Sequence, residues 1–504
     1  MPPILATTIV IVWIAGLMLV DRRRGTATSW AVWIPILWVA IGGTRNVSEW
    51  LNGIESVESP DRYLEGSPLD RNVVSVLLAI GLAVLVARGR RTTELLRQNL
   101  PLVMFFVWAL LSATWSDFGF VAFKRWTKGF GNAAMVVILL TDPNPREAIK
   151  RFFARTGFVL IPLSVLFIKY YPLIGRAYDR WEGITFNMGV ATSKNGLGCL
   201  LLVLGVPCLW RVIESLRDRP IRIAPLLAHA SMLGTALWLL YLANSATAKL
   251  CFALGAVTMF VGLRAKGRAR QVHLFVTGLA SFALATYVFR DAYTYVVESL
   301  GRNPTLTGRT ELWDDLIVMI THPMFGTGYE SFFLGDRAKM LWDKYWWHPN
   351  EAHNGYFEIF LTLGWIGVVL LATQIMFGYR NAIRAYRRDP ALGSLLLAFL
   401  LAAIVYNFSE AAFKVMSPVW IAFLVAVTAV PPSLTSTAEE TAVVPSISTR
   451  PLAASSIRVA PAWAGGRGVH AARMQSYENR IVARHFRSFS NGKPRGHADH
   501  QPFS

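Results

Sequence analysis

Residues 352–388 read AHNGYFEIFLTLGWIGVVLLATQIMFGYRNAIRAYRR, and this stretch decides the class of fold. Its first part, residues 352–377, carries one acidic side chain, Glu358. A helix of roughly 20 apolar residues is long enough to cross the hydrocarbon layer of a membrane. The arginines that end the stretch are Arg380, Arg384, Arg387 and Arg388. An apolar span that ends in an arginine cluster indicates a transmembrane helix with a cytoplasmic end.

The rest of the chain has the same character. Of its 504 residues, 54% are hydrophobic and 16% are charged, whereas a soluble domain carries about 25% charged residues. We predict an all-α protein, a polytopic membrane helix bundle of about 12–13 transmembrane helices with one large periplasmic loop. The spans are expected near residues 3–20, 29–43, 72–88, 99–115, 129–141, 152–170, 195–210, 224–243, 246–263, 272–289, 352–377, 391–408 and 412–430.

Basic residues follow every second predicted span. They include Arg22–Arg24, Arg88–Arg97, Arg146–Arg151, Arg211–Arg222, Arg264–Arg270 and Arg380–Arg388. Cytoplasmic loops carry an excess of Lys and Arg. We therefore expect the N-terminus outside and the C-terminal end inside the cell. The first span precedes its basic cluster, which is the reverse of a secretory signal, so we expect this helix to be retained.

The net charge of +19 could also suggest a nucleic-acid-binding protein. The basic residues lie between apolar spans, however, so basic cytoplasmic loops account for them more simply. The three cysteines, Cys199, Cys208 and Cys251, fall in apolar runs without metal-site or disulfide spacing. We interpret them as packing residues.

The order of spans and loops predicts five regions. Residues 1–70 form an N-terminal transmembrane hairpin with an acidic outside loop, and residues 71–289 form the main helix bundle. Residues 290–351 form the large periplasmic loop, and residues 352–430 form the C-terminal transmembrane helices. Residues 431–504 are rich in Ser, Thr, Pro, Ala and Arg, which predicts a disordered, basic cytoplasmic tail.

A loop as long as 290–351 is usually functional or carries structure of its own. Within it, one helical face from Glu311 to Ile320 is apolar, with Leu312, Trp313, Leu316 and Met319. This spacing predicts an amphipathic helix lying on the membrane surface.

Two side chains near the outer face could carry chemistry. His353 lies at the mouth of a predicted span, where a partly dehydrated imidazole can stay neutral near pH 7 and can then accept a proton from a hydroxyl. Arg309 offers a planar fork of donors that suits phosphate. Together they suggest group transfer from a phosphate-activated donor. The simpler interpretation of a lone histidine here is an interfacial anchor or a helix-end hydrogen bond.

The pattern His353-Asn354, nine residues, Gly364, two residues, Gly367 is similar to the signature of the O-antigen ligase and polysaccharide polymerase family. Gly308–Trp313 and Pro323–Tyr329 resemble the segment that precedes this histidine in the family. Weaker similarities lie in Trp115–Asp117 with Lys124–Arg125, in Thr192–Gly198, in Ser245–Ala248 and in Asn407–Glu410. The resemblance extends over approximately residues 70–430.

The resemblance implies a glycan transferase on the periplasmic face of the bacterial inner membrane. The donor would be an undecaprenyl-diphosphate-linked glycan, and the acceptor would be lipid A-core or another lipid-linked glycan. Membrane lipids would be further partners, and no nucleic acid, metal or other cofactor would be needed. His353 matches the family's essential histidine and would activate the acceptor hydroxyl. Arg309 matches the arginine of the periplasmic loop and would neutralise the diphosphate leaving group.

The substrate-binding residues are less well defined. The family uses a further arginine in an earlier outside loop, for which Arg125, Arg176 and Arg180 all qualify. Further candidates are Lys194, Asn195, Asn354 and Glu311. Adjacent residues on a helix face different ways, so Asp314 and Asp315 are not expected to bind a metal. Glu410 and Lys414, four residues apart, would either pair with each other or line the substrate cavity.

Two functions from other classes compete with glycan transfer. A transporter or flippase of lipid-linked sugars predicts charges deep within several spans and inverted repeats, but the charges lie mostly at span ends. A receptor or scaffold would leave the series of Arg, Gly and His-Asn motifs unexplained. Whether a transferase would act as a ligase or a polymerase depends on the acceptor, which the sequence leaves open.

Overall fold

The structure is a computed structural model that describes residues 1–21, 28–53, 66–178, 183–288 and 309–431. The predicted C-terminal tail, Arg180 and the first part of the large outside loop lie outside these residues. The helices are α1 (Pro3–Asp21), α2 (Trp33–Gly42), α3 (Val47–Asn52), α4 (Pro68–Ala87), α5 (Gly89–Gln98), α6 (Leu100–Leu111), α7 (Gly119–Leu140), α8 (Pro145–Tyr170), α9 (Pro172–Gly175), α10 (Lys194–Arg217), α11 (Ile223–Ala243), α12 (Ala246–Arg264), α13 (Ala269–Val288), α14 (Arg309–Val318), α15 (Gly335–Lys344), α16 (Gly355–Arg388), α17 (Pro390–Ser409) and α18 (Pro418–Val427). Single 3-10 turns at Trp30–Val32 and Ser112–Thr114 adjoin α2 and α6. Strands β1 (Arg176–Tyr178) and β2 (Thr185–Asn187) form an antiparallel hairpin in which Ala177 pairs with Phe186.

The predicted polytopic helical membrane protein is confirmed. Among the described residues, eight helices are long and apolar enough to cross a membrane: α1, α4, α8, α10, α11, α12, α16 and α17. The α5–α6 pair, bent by 91°, would make a ninth span. The other predicted spans fall on α2, α7, α13 and α18. The count is lower than predicted partly because α2 and α18 are short and because α7 carries Lys124, Arg125 and Lys128.

Two predicted boundaries change. The last predicted span began at residue 412, but α18 begins at Pro418, so residues 410–417 form a non-helical link. The predicted span at 129–141 is the second half of α7, which begins ten residues earlier, at Gly119. The first change places Lys414, which was expected within a span, in a loop, and the second places Arg125, which was expected in a loop, in a helix.

Helices α10 and α17 form the centre of the bundle. Both are mostly buried, whereas α1 is mostly exposed at the outside. Helix α12 packs along α17, and α11 packs along α10. Cys199, Cys208 and Cys251 are free and buried within these helices, as expected for packing residues.

The bundle has two chemically different ends. Three ion pairs lie at the first end. Arg88 Nη2 lies 3.5 Å from Asp142 Oδ2, and Lys150 Nζ lies 2.7 Å from Glu214 Oε1. Arg146 Nε lies 2.5 Å from Asp389 Oδ2. Here a buried charge that lost its partner would be strongly destabilising. Among the described residues, basic side chains that follow the predicted spans lie here, including Arg88, Arg146, Lys150 and Arg384, and we call it the basic end. The starts of α10, α14 and α16 and the end of α17 lie at the opposite end, which we call the site end.

The predicted surface helix in the large loop is present as α14, but its apolar face does not lie on a membrane surface. Leu312 and Leu316 are fully buried in a small core with Phe332, Phe333 and Leu341. The apolar face of the helix was correctly predicted, but it packs against residues of the same loop. The sequence could not show which apolar surface would cover it.

A break in α16 explains the first glycine of the motif, Gly364. At Gly364 the backbone has φ 67°, which favours glycine, and the helix bends there. The turn around Gly328 runs beside the break: Thr327 and Gly328 donate backbone hydrogen bonds to the carbonyls of Leu361 and Thr362, at 3.1 and 2.9 Å. The turn thus binds carbonyls that the broken helix leaves without partners.

We expect Gly364→Ala to destabilise the protein. A Cβ there would collide with the backbone of Met324, and alanine disfavours the left-handed backbone. The expected loss is about 1–3 kcal/mol in the free energy of unfolding, or more if the turn separates from α16. Thermal unfolding of the purified protein in detergent would measure it. Gly234→Ala in α11, where nothing lies within 4 Å of the new Cβ, is the control. Equal midpoints for the two variants would contradict this account of the break.

Candidate active site

Glu410, which directly follows α17, joins three of the predicted site residues. Its Oε1 accepts a hydrogen bond of 3.1 Å from Asn195 Nδ2 and lies 3.9 Å from Arg309 Nη2. Its Oε2 lies 3.9 Å from His353 Nδ1. Arg309 is fixed further because its Nη1 donates to the Ser409 carbonyl at 2.6 Å. Residues from four separate parts of the chain therefore meet at one carboxylate.

Helix ends bring these residues together. Asn195 lies in the first turn of α10, and Arg309 is the first residue of α14. Asn354 caps α16, because its Oδ1 accepts from the backbone N–H groups of Tyr356 and Phe357 at 3.0 Å. The backbone N–H of Gly355 then donates to the Glu410 carbonyl at 3.1 Å. This contact ties the segment with His353 directly to the end of α17.

His353 also pairs with a second carboxylate, that of Glu351. His353 Nδ1 lies 3.1 Å from Glu351 Oε1, and the other oxygen of Glu351 binds Lys414 Nζ. The backbone of His353 has φ 50°, in the left-handed region that is uncommon for residues other than glycine. The surroundings therefore hold this histidine in an unfavourable conformation, as is frequent at functional sites.

The two carboxylates determine the charge of His353. Burial lowers its pKa, but Glu351 and Glu410 outweigh burial and raise the pKa to about 9. The imidazole is therefore mostly protonated at pH 7 in the resting site. The expectation of a neutral imidazole is wrong for this state, because it considered dehydration and could not include the two acidic neighbours.

The pair of Glu351 and Lys414 is fixed in its charged form. Burial acts to raise the pKa of Glu351, but Lys414 and then His353 hold it well below the usual range. Burial acts to lower the pKa of Lys414, but Glu351 raises it above its usual value. Lys414 therefore pairs with Glu351 and not with Glu410, although the latter pairing was one sequence-based expectation.

Arg125 lies beside this cluster. It donates a hydrogen bond to the Glu330 carbonyl, and the Glu330 carboxylate accepts one of 2.9 Å from the backbone of Val415. Val415 directly follows Lys414, so this contact connects α7 with the residues around His353. The structure describes two of the three arginines considered for the earlier position, Arg125 and Arg176, and of these Arg125 is the one next to the site.

The other predicted substrate-binding residues lie elsewhere or have structural contacts. Arg176 is in β1 and donates to the Ile168 carbonyl at 2.9 Å. Lys194 lies beside the Phe186 ring, and Glu311 is exposed in the first turn of α14. Asn354 uses both its amide oxygen and, through a bond to the Phe408 carbonyl, its amide nitrogen. Their roles in binding substrate stay predictions.

The described residues contain one group that could hold a metal by distance alone. Ligand atoms of Glu351, His353 and Glu410 lie within 4.8 Å of one another. The cations Lys414 and Arg309 already approach these carboxylates, which disfavours a divalent ion there. Asp315 is bound by Lys344 Nζ at 2.6 Å and by the Tyr345 hydroxyl at 2.6 Å.

Sequence reasoning missed Glu351, Glu410 and Lys414 as a connected set. Glu351 stands two residues before His353, and Glu410 ends a segment of weaker family similarity. The signal that could have found them was the presence of charges at the start of an expected membrane span. The pairing itself depends on which helix ends meet, and a single sequence does not give this information.

Residues 231–372 match the family profile described as O-Antigen ligase. This segment belongs to the O-antigen ligase family. The predicted resemblance is thus confirmed for this segment, which contains Arg309, His353 and Gly364. Asn195 and Glu410 lie outside the matched segment but reach it through contacts at the site end.

A relative with a described role is the exopolysaccharide production protein ExoQ of Rhizobium meliloti (strain 1021). The chain is 23% identical to it over 300 residues, which are 57% of this chain and 66% of the relative. The match therefore covers slightly less than two thirds of the relative's length. It supports a relation to proteins of exopolysaccharide production and leaves the activity of this chain to be proposed.

We expect Glu351→Gln to lower the pKa of His353 from about 9 toward the ordinary value, because it removes the nearest carboxylate. Histidine-selective NMR titration of the detergent-solubilised protein would measure the shift, with His353→Ala identifying the resonance. Glu311→Gln removes an exposed carboxylate for which the structure shows no contact with His353, and it is the control. An unchanged pKa in Glu351→Gln would contradict the pairing.

Proposed function

We propose that this protein is a membrane glycan transferase that uses an undecaprenyl-diphosphate-linked glycan and works at the site end of the bundle. One observation carries the proposal. Asn195, Arg309 and His353 are far apart in the sequence, but they meet around the Glu410 carboxylate at the site end of the bundle. The family of residues 231–372 supplies the chemistry, since O-antigen ligases transfer glycans.

The donor's diphosphate would bind where Glu410 now holds its partners. Asn195 donates a hydrogen bond to a carboxylate oxygen of Glu410, and the Arg309 guanidinium lies 3.9 Å from the same oxygen. Phosphate oxygens accept the same kind of hydrogen bond. The diphosphate would compete with Glu410 for these donors. In the empty site, Glu410 would keep both donors in position and offset the positive charge of Arg309.

The reaction would be a displacement at the anomeric carbon of the donor sugar. The acceptor hydroxyl oxygen attacks this carbon, and the bond to the diphosphate breaks with its electron pair leaving on the phosphate oxygen. Arg309 would stabilise that negative charge. The hydroxyl proton would pass to the neutral form of His353 and from there to solvent. Glu351 would orient the imidazole and stabilise the cation that forms.

The two ends of the bundle favour a periplasmic site. Lys and Arg are enriched on the cytoplasmic side of membrane proteins, and the basic end gathers Arg88, Arg146 and Arg384. The site end would then face the periplasm, and the protein would reside in the bacterial inner membrane. An acceptor carried by a lipid could reach the site from the same leaflet.

The relative favours polymerisation over ligation. ExoQ is described as an exopolysaccharide production protein, and an exopolysaccharide is a polymer of repeat units. We therefore favour another lipid-linked glycan as acceptor, with lipid A-core as the alternative. A gel of surface glycan from a deletion strain would separate the two: loss of a polymerase leaves single repeats on the acceptor, and loss of a ligase leaves none.

We expect His353→Ala to lower the transfer rate about 100- to 10,000-fold, because general-base catalysis typically contributes this much. Arg309→Ala should lower it further than Arg309→Lys, which keeps the charge but loses the planar fork. The measurement is glycan transfer by the purified protein in detergent, from lipid-diphosphate donor to acceptor, with and without a chelator. The chelator should have no effect.

The control is Arg380→Ala, which removes an arginine at the far end of α16. Normal product from both His353→Ala and Arg309→Ala, at normal protein level, would contradict the proposal. No product from the wild-type protein in detergent would favour a flippase.

The transfer rate of the wild-type protein should rise about tenfold per pH unit up to the His353 pKa near 9, because only the neutral imidazole accepts the proton. A rate that is flat up to pH 9 and then falls would assign His353 a cationic role.

A further inference from the structure

A pocket of about 350 Å³ opens at the basic end of the bundle, away from the site with His353. Residues from α5, the α7–α8 link, the end of α16 and the segment after α18 line it. Its basic side chains are Arg91, Arg384 and Arg388. The structure thus places three cations from two helices around one cavity.

These cations lack acidic partners in the part of the chain that the structure describes. Arg384 Nη1 donates to the Asn381 amide oxygen at 3.2 Å, which leaves its charge uncompensated. The acidic group Asp142 also lines the pocket, but it pairs with Arg88 at 3.5 Å and accepts from the Ser29 backbone at 3.0 Å. The remaining acidic residue of the lining is Glu94, which is exposed. The pocket therefore has an excess of positive charge.

The orientation of α5 indicates the depth of the pocket in a membrane. Helix α5 makes an angle of 91° with α6. If α6 runs across the bilayer, α5 lies along its surface. Leu95 faces the protein core, whereas Arg90, Arg91 and Arg97 are on the polar side of α5. This arrangement is typical of an amphipathic helix at the level of lipid headgroups.

A smaller crevice of about 10 Å³ continues from the pocket between α6 and α16, and this volume admits a single small polar group. The two cavities share Gln98 and Asn381, and the crevice is lined further by apolar side chains that include Leu102 and Phe377. Gln374 lies in this crevice with 2% of its surface exposed. Neither polar atom of its amide has a hydrogen-bond partner among the described residues. Buried polar groups are rarely left without partners, so this amide is an independent sign of a missing ligand.

We propose that the pocket and crevice bind an anionic phospholipid. The phosphate would lie among Arg91, Arg384 and Arg388, and an ester carbonyl or hydroxyl of the glycerol backbone would bond to Gln374. An acyl chain would follow the apolar surface of α6, where Leu100 and Met104 are exposed. Basic pockets between transmembrane helices on the cytoplasmic side bind anionic headgroups in this way. A free phosphate would use the arginines but leave Gln374 unpartnered.

The test uses the full-length protein purified in a neutral detergent. We expect phosphatidylglycerol to raise the midpoint of thermal unfolding by several degrees and to remain bound in native mass spectrometry, with little effect of phosphatidylcholine. The double variant Arg384→Gln/Arg388→Gln should lose most of both effects. The matched control is Arg380→Gln/Arg387→Gln, which removes the same charge from the same helix at residues that do not line the pocket.

Two further variants keep the test decisive if the double variant folds poorly. Arg91→Gln changes an exposed residue of α5, and Gln374→Leu replaces the unpartnered amide with an apolar group of similar size. Arg91→Gln should weaken phosphatidylglycerol binding, and Gln374→Leu should reduce it while raising the stability of the lipid-free protein.

Three results would overturn the proposal. Equal losses in the pocket variants and the control would show general attraction to surface charge. Full stabilisation by inorganic phosphate would assign the pocket to a soluble anion. Unchanged lipid binding in Arg91→Gln and Gln374→Leu would show that the lipid binds elsewhere. Because these residues lie outside the site with His353, none of these results depends on the proposed glycan transfer.

Discussion

The carboxylate of Glu410 is the contact on which the arrangement of the site end depends. Asn195 and Arg309 direct donors at one of its oxygens, and His353 lies near the other. The carbonyl of the same residue accepts from Gly355 at the start of α16. A buried carboxylate is stable only when it is well paired, so the need to satisfy this group fixes how the ends of α10, α14, α16 and α17 meet. The geometry of the proposed catalytic site follows from the same requirement.

The charges of the site form a connected series. Lys414 pairs with Glu351, Glu351 with His353, and His353 lies between Glu351 and Glu410. Each ionised group is held by a neighbour of opposite sign, which explains why the pKa of His353 is raised despite its burial. A bound diphosphate would add negative charge to this series. The site is thus suited to hold an anion and to exchange a proton, and both are needed when a diphosphate leaves and a hydroxyl attacks.

Much of the fold could be predicted because membrane helices follow from local apolar runs. Each predicted span overlaps a helix, although residues 412–417 of the last one are not helical, and the motif around Gly364 and His353 indicated the family. The rest depends on contacts between distant parts of the chain. The apolar face of α14 was predicted, but its packing against Phe332 and Phe333 was not predicted. Glu351 and Glu410 could be recognised as site residues only after the helix ends were placed, and the protonation of His353 follows from them.

The most direct measurement is an experimental structure of the purified protein with undecaprenyl diphosphate bound. The account predicts the diphosphate at the site end, with a phosphate oxygen within about 3 Å of the Arg309 guanidinium. It also predicts that Asn195 moves from Glu410 to a phosphate oxygen. A diphosphate bound at the basic end beside Arg384, or at the site end without contact to Arg309 and His353, would contradict it.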